Sequence, residues 1–295
     1  MLRFLAILFV SLAVNAGLCG TTLAAQTVPA ASTQADDNTR RPTNSAAAAS
    51  SGEDSAAENE LLAAANKNRA LAGAPPLRAD GGLREAAAAH ARLMIEHARL
   101  DHKFSDEAAL LQRIALASPL KMDRAGENIA YANCAPDVNA ALMRSPLHRE
   151  NLLDPGFNIA GIAAIWSHGQ LYVVQDFAHE VPSYSARQIS QRVGLAVDVT
   201  RQKAGLPELG QLVAPTLDEA ACSLAKENRP NAHLVAASYE NRKIITYTES
   251  RPENLPVSAT NMLQDPGVRQ FAVGSCYARN AHYPTGMYWV AILLY

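Results

Sequence analysis

The stretch that decides the fold is Asp154-Pro155-Gly156-Phe157-Asn158-Ile159-Ala160-Gly161-Ile162-Ala163-Ala164-Ile165-Trp166-Ser167-His168-Gly169-Gln170-Leu171-Tyr172-Val173-Val174-Gln175-Asp176-Phe177-Ala178. Asp154-Pro155-Gly156 has turn composition. Two apolar runs follow, over 159–166 and 171–178, and Ser167-His168-Gly169-Gln170 between them reads as a hairpin turn. Toward the N-terminus stand three polar words: Ser145-Pro146-Leu147-His148-Arg149, Gly126-Glu127-Asn128 and Asp101-His102. They place two histidines and one glutamate on three separate segments. Dispersed imidazole and carboxylate groups are what a fold gathers into a polar cleft or a cation site.

Helical spacing fills the rest of this half. Leu61, Leu62, Ala65, Arg69 and Leu71 recur at helical intervals from Ala57 until Gly73, and Pro75-Pro76 stop the helix. A second helix is expected from Asp80 to Arg99, with Asp80 as N-cap and Leu83, Ala87, His90, Ala91, Met94 and Ala98 on one stripe. His90 and His97 read as helix-face residues. Shorter helices are expected over 106–117 and 137–144, the latter closed by Pro146. Helices grouped around antiparallel strands define an α+β layered sandwich.

Residues 1–24 read as a secretory signal peptide: Arg3, an apolar run from Phe4 to Val14, then small residues up to Ala24. The run is too short for a stable transmembrane anchor. Residues 25–56 hold Ala, Ser, Thr, Gln, Asn and Asp with one large apolar side chain, Val28, and read as a disordered linker. Net charge is −2 and the chain has no basic run beyond Arg40-Arg41, which argues against nucleic-acid binding. Export would leave Cys134, Cys222 and Cys276. Cys222 and Cys276 both fall in the second half and are the more plausible disulfide pair, with Cys134 expected as a buried structural thiol.

The ordered words, with the strand over 170–178, resemble the CAP superfamily: cysteine-rich secretory proteins, plant pathogenesis-related proteins and bacterial SCP-like extracellular domains. The resemblance is strong over about 57–179 and implies an α-β-α sandwich. In that family a cleft of two histidines and two glutamates is typical, and His102, Glu127 and His148 fall where three of the four stand. The second glutamate would precede the second histidine, yet Ala141-Leu142-Met143-Arg144-Ser145-Pro146-Leu147 holds no acid.

The second half repeats the first in outline. Asn68-Arg69-Ala70-Leu71-Ala72-Gly73-Ala74-Pro75 returns as Thr200-Arg201-Gln202-Lys203-Ala204-Gly205-Leu206-Pro207, 132 residues on, and Asp154-Pro155-Gly156 returns as Asp265-Pro266-Gly267, 111 residues on. The second copy is thus shorter by 21 residues where the first carries its His and Glu words. Strands are expected over 269–278 and 287–294, and Thr216 with Glu219 reads as a capping box opening the helix that bears Cys222. The expected organisation is 57–180 as a CAP/SCP-like domain and 181–295 as a degenerate second copy in which His233 and His282 stand in unmatched contexts.

Three function classes follow. The resemblance implies a secreted or periplasmic, non-enzymatic binding protein for a small apolar or lipid ligand, a cell-envelope component or a protein partner, with no cofactor required. A metal-assisted hydrolase would instead use Glu127 as base with His102 and His148 on zinc or calcium. A purely structural surface module is the third. In that reading Gly126-Glu127-Asn128 is a turn, His148 caps a helix, and Arg149 anchors Asp154 or Glu127. No G-x-S-x-G elbow and no phosphate-binding Gly-rich loop occur.

Overall fold

The computed structural model describes residues 52–236, 239 and 242–295; the expected signal peptide and most of the expected linker lie outside them. Described structure already includes Gly52, five residues before the point at which composition suggests order. Gly52–Glu53 forms a short strand, β1, and helix α1 runs Ser55–Leu71. The reason lies in polar anchors: Asp54 caps α1 by accepting from Ala57 N at 3.0 Å and takes a second bond from Trp166 Nε1 at 2.9 Å. Glu53 pairs with Arg84 and Arg92.

After β2 (Arg78–Ala79) comes α2 (Gly81–Glu96), where Asp80 accepts from Leu83 N at 2.9 Å, as an N-cap should. Helix α3 (Leu110–Ala117) starts four residues later than its spacing suggests. Strand β3 (Met122–Ala132) follows, then α4 (Ala135–Arg144), α5 (Pro146–Leu153), β4 (Ile159–Ser167) and β5 (Gln170–Glu180). Pro146 therefore opens a helix rather than only ending one, the position where its missing N–H costs nothing. The β4–β5 turn places His168 and Gly169 at positive φ (50° and 77°), the backbone of a tight hairpin.

Strand order is β1-β4-β5-β3, with β2 parallel to β4 and the other pairs antiparallel. One face carries Ala163, Ile165, Ile129 and Val174 against α2; the other carries Ile162, Ala164, Leu171 and Val173 against α1 and α4. Burial on both faces explains why β4 reads as an unbroken apolar run rather than an alternation. Helix α2 lies so close that a Cβ on Gly161 would sit 2.0 Å from Arg84 N.

The C-terminal half comprises α6 (Ala186–Lys203), β6 (Gly210–Leu212), α7 (Thr216–Lys226), α8 (Ala232–Ala236), β7 (Lys243–Glu249), α9 (Val257–Leu263), β8 (Gln270–Ala278) and β9 (Met287–Leu294). Its sheet order is β6-β8-β9-β7, with β6 parallel to β8 and β8, β9 and β7 antiparallel. Phe271, Val273, Val290 and Ile292 pack on α6 and α9; Ala272, Trp289, Ala291 and Leu293 pack on α7. The expected capping box at Thr216 does not form. The N-cap of α7 is Pro215, and Thr216 Oγ1 instead meets Tyr239 Oη at 2.6 Å. A capping box does open α6, between Ser185 and Gln188.

Two buried arginines hold the long connections. Arg69 donates from Nε to Pro75 O (2.7 Å), from Nη1 to Leu152 O and Asp154 O (2.9 Å each), and from Nη2 to Phe157 O (2.9 Å). Arg201 donates from Nε to Pro207 O (2.9 Å) and from Nη1 to Leu263 O (2.9 Å) and Asp265 O (2.8 Å). Each guanidinium thereby ties a helix C-terminus to an Asp-Pro-Gly turn. In both turns the Asp carboxylate accepts from the Gly amide at 2.7 Å.

Cys222 on α7 and Cys276 on β8 are bridged, with Cα atoms 5.0 Å apart, as the sequence suggested. Cys134 is disulfide-bonded too, which corrects the reading of a structural thiol. The Cys222–Cys276 bond closes a separation of 54 residues, so in a chain-entropy account its loss costs about 4 kcal/mol. The double variant Cys222→Ser/Cys276→Ser should therefore lose roughly that much in denaturant unfolding. A change below about 1 kcal/mol would mean that the bond adds nothing to a half already closed by its sheet.

Candidate functional site

Glu127 sits at the middle of β3, an edge strand bonded to β5 alone, so the site is built where the sheet stops. The turn reading of Gly126-Glu127-Asn128 fails here: all three residues pair in register with β5. Gly126 is required for space, because a Cβ there would lie 2.9 Å from the Phe157 ring.

The Glu127 carboxylate is buried at 6% exposure and both its oxygens are engaged. Oε1 accepts from His102 Nδ1 at 2.8 Å, and Oε2 pairs with the Arg113 guanidinium. His90 Nε2 lies 3.8 Å from Oε2. Burial alone would push this carboxyl up; the His102 hydrogen bond, then the charges of Arg113, His90 and His102, outweigh it and hold Glu127 below its ordinary value.

A second ring of contacts fixes those partners. Arg113, on α3, also pairs with Glu107 at 3.2 Å and donates to His102 O at 3.3 Å. His90, on α2 and fully buried, sets Nδ1 against the Glu107 carboxylate at 3.0 Å and Nε2 against Asp101 O at 2.8 Å. Glu107 further accepts from Phe104 N at 2.9 Å, which clamps the loop that carries His102. His90 is therefore part of the site's support rather than a plain helix-face residue. His97 does stay on a helix surface, stacked on Phe104 and near Asp106.

Directly across the ladder from Glu127 stands Asp176, with no exposure and no donor for either oxygen. Burial first, then the neighbouring Glu127 charge, push its carboxyl well above the ordinary value. Two adjacent carboxyls in the interior cannot readily both ionise, and this raised value favours the protonated form of Asp176 beside the ionised Glu127.

His148 reaches the same edge from α5. Asn128 Nδ2 donates to His148 O at 3.0 Å, and Asn151 Nδ2 donates to Glu127 O at 3.1 Å, so α5 is stitched to β3 by amide side chains. Burial, then the charge of nearby His102, hold the His148 imidazole below its ordinary value. Arg149 reaches Met143 O, at 3.5 Å; Arg124 is the partner of Asp154, and Arg113 that of Glu127. The expected Arg149 anchors are thus made by other arginines. His102, with 27% of its side chain exposed, turns Nδ1 inward to Glu127 and leaves Nε2 for whatever enters the cleft.

The donor set does not fit the zinc or calcium ion of the hydrolase reading. Glu127 is spent on His102 and Arg113, and a cation there would face a guanidinium. Among the described residues no group of three or more His, Cys, Asp or Glu side chains is arranged to hold a metal ion. What remains are two imidazoles, too few for a divalent site. Arg113, Glu107 and Asp176 were not singled out in the sequence; only the position of Asp176 in an otherwise apolar strand signalled a buried acid.

The fold and site together define an α-β-α domain with a histidine–carboxylate cluster at the edge of its sheet. Residues 62–177 match the cysteine-rich secretory protein family, CAP, so this stretch is a CAP domain. No curated protein matches the chain. Among solved structures, it is similar to an outer surface protein of Borrelia burgdorferi: 18% identity, 45% of this chain and all of that one, TM-score 0.41. An extracellular protein containing an SCP domain from Bacillus anthracis str. Ames gives 23% identity over 42% of this chain and 41% of its own, TM-score 0.38. Na-ASP-1 gives 8% identity over 84% of this chain and 91% of its own, TM-score 0.48. The Cys222–Cys276 disulfide fits an oxidising, extracellular setting, and no described helix is long and apolar enough to cross a membrane.

The protonation of Asp176 has a signed consequence. Its folded-state pKa is raised, so the folded chain keeps a proton that the unfolded chain releases above about 3.9. That stabilisation is complete below the unfolded value and is lost as pH rises. Asp176→Asn supplies a donor that does not titrate. Denaturant unfolding from pH 4 to pH 8 should therefore lose less stability in Asp176→Asn than in the wild type. Equal slopes in the two proteins would mean that Asp176 is ionised in the fold.

Proposed function

We propose that the protein is an exported, non-enzymatic binding protein, carried out of the cytoplasm by the segment 1–24 and working in the periplasm or beyond the cell. Its ligand is a small molecule with an apolar body and one polar group, of lipid or cell-envelope type. The observation that carries this reading is the engagement of Glu127: a carboxylate held by His102 and Arg113 is an orienting group, not a free base. What this edge offers a ligand is His102 Nε2 and the His148 imidazole, whose surroundings favour its neutral form. Such a surface receives one hydrogen-bonding group and a length of hydrocarbon.

In the same reading, 57–180 is the binding domain and 181–295 a degenerate second copy that keeps the frame and has lost the polar site. The paired arginine clasps, the matched strand orders and the close helix contacts at Gly161 and Gly274 support it. Arg69→Ala and Arg201→Ala should then behave alike. Each leaves buried carbonyls without a donor and should cost about 3 kcal/mol or more in chemical unfolding. A large loss in one and none in the other would break the equivalence.

Binding is tested with the purified mature chain against long-chain fatty acids, sterols and peptidoglycan fragments. His102→Ala should weaken the bound class about tenfold or more, the loss of one hydrogen bond to a ligand. Turnover of peptide or ester substrates that disappears in both His102→Ala and Glu127→Ala would replace this reading with a hydrolase.

A further inference from the structure

Arg113 and Glu127 form the buried ion pair behind His102, and the chain between them is gripped by the C-terminal half. Arg279, just past β8, donates from Nη1 to Ala115 O at 2.8 Å and from Nη2 to Ser118 O at 3.0 Å and Leu120 O at 2.8 Å. Those carbonyls are the C-terminal end of α3 and the connector that leaves it. Helix α3 has eight residues, no side-chain N-cap and no basic residue in its last turn. It lacks the devices that fix a short helix from within. A guanidinium from the other half supplies the missing cation and donors at the negative end of its dipole.

Two further contacts hold the same segment. Lys121 donates from Nζ to Tyr288 Oη at 3.0 Å and lies 3.7 Å from the Tyr277 ring centroid. Asp123, four residues before Glu127, accepts from Ser250 Oγ at 3.2 Å and pairs with His179 Nδ1 at 2.6 Å. Residues 115–123 are thus fixed from outside at three points, while Arg113 and Glu127 flank them on either side.

We propose that Arg279 is a positioning residue for the cleft: through α3 it holds Arg113 on Glu127, and so holds the Glu127 carboxylate on His102. The C-terminal half is in this view the part that keeps the His102 ring in its binding orientation, although it carries none of the site's polar groups. That His102 is the ligand contact rests on the reading in the preceding section; that Arg279 orders the ring does not.

The test uses the full mature chain, labelled with ¹⁵N, and reads the His102 ring and the Arg113 guanidinium by NMR without any ligand. In the wild type the His102 Nδ1 proton faces Glu127 and should exchange slowly with water. Arg279→Ala should speed that exchange by about tenfold and broaden the Arg113 side-chain signals, with the core resonances of Trp289 unchanged. Arg279→Lys, which keeps the charge at the helix end but not the forked donors, should fall between the two. Ser250→Ala, which releases only Asp123, should move the same signals in the same direction by less, and it decides the matter if Arg279→Ala does not fold. His102 and Arg113 signals identical to wild type in a folded Arg279 variant, or in Ser250→Ala where that variant fails, would overturn the proposal. If fatty acids and sterols bind nowhere near His102 while these signals still respond to Arg279, the ligand reading fails and the positioning role stands.

Discussion

A carboxylate inside a protein must be surrounded by donors or be neutralised, because the loss of its hydration costs several kcal/mol. Glu127 meets that requirement by drawing in groups from separate elements. His102 comes from the loop after α2 and Arg113 from α3, while Asp176, opposite on β5, is pushed toward its neutral form. Once Arg113 is committed, Glu107 is drawn in to share it, and Glu107 in turn holds His90 and the amide of Phe104. The layer between α2, α3 and the sheet edge is therefore a closed polar network. Removing any member would leave another buried group without its partner. The exposed outcome is small by comparison: one imidazole nitrogen, aimed outward.

Where apolar periodicity and turn chemistry act locally, the sequence was readable. Helices α1 and α2, the β4–β5 hairpin and the Asp154 turn follow from spacing, caps and Gly/Asp chemistry, and the Cys222–Cys276 bond lay within reach of cysteine bookkeeping. Strand β3 was not readable as a strand. Asp123, Arg124, Gly126, Glu127 and Asn128 interrupt its apolar pattern, and each is there for a contact made with another element. Arg113 carried no signal either, since one arginine in a short amphipathic helix usually faces water; only the fold reveals a buried acid opposite it. The same holds for order at residues 52–54, where composition argues for a solvated chain and Arg84, Arg92 and Trp166 decide otherwise.

The family resemblance singled out His102, Glu127 and His148, but not how they are wired. A histidine–glutamate word reads equally as ligands for a cation or as an internal ion pair. The choice depends on whether a fixed positive charge lies beside the carboxylate. Here Arg113 takes that place, so the chemistry open to this edge is that of an oriented hydrogen-bonding imidazole rather than that of a Lewis acid.

Both halves keep a buried arginine on the carbonyls of an Asp-Pro-Gly turn, and only the first half surrounds a carboxylate with histidines. The clasp solves a problem of the backbone: carbonyls left bare at a helix end and a turn need donors in the dry interior, and one guanidinium reaches several at once. That need persists whatever the surface does. The histidine network holds a loop instead: its members engage Asp101 O, His102 O and the Phe104 amide, all within the first half. The second half has no such network among its described residues, yet its helix end and turn carbonyls still need a donor, and Arg201 supplies it. What such a half can still supply is a rigid body to lean on, and the Arg279 contacts with α3 show where the lean falls.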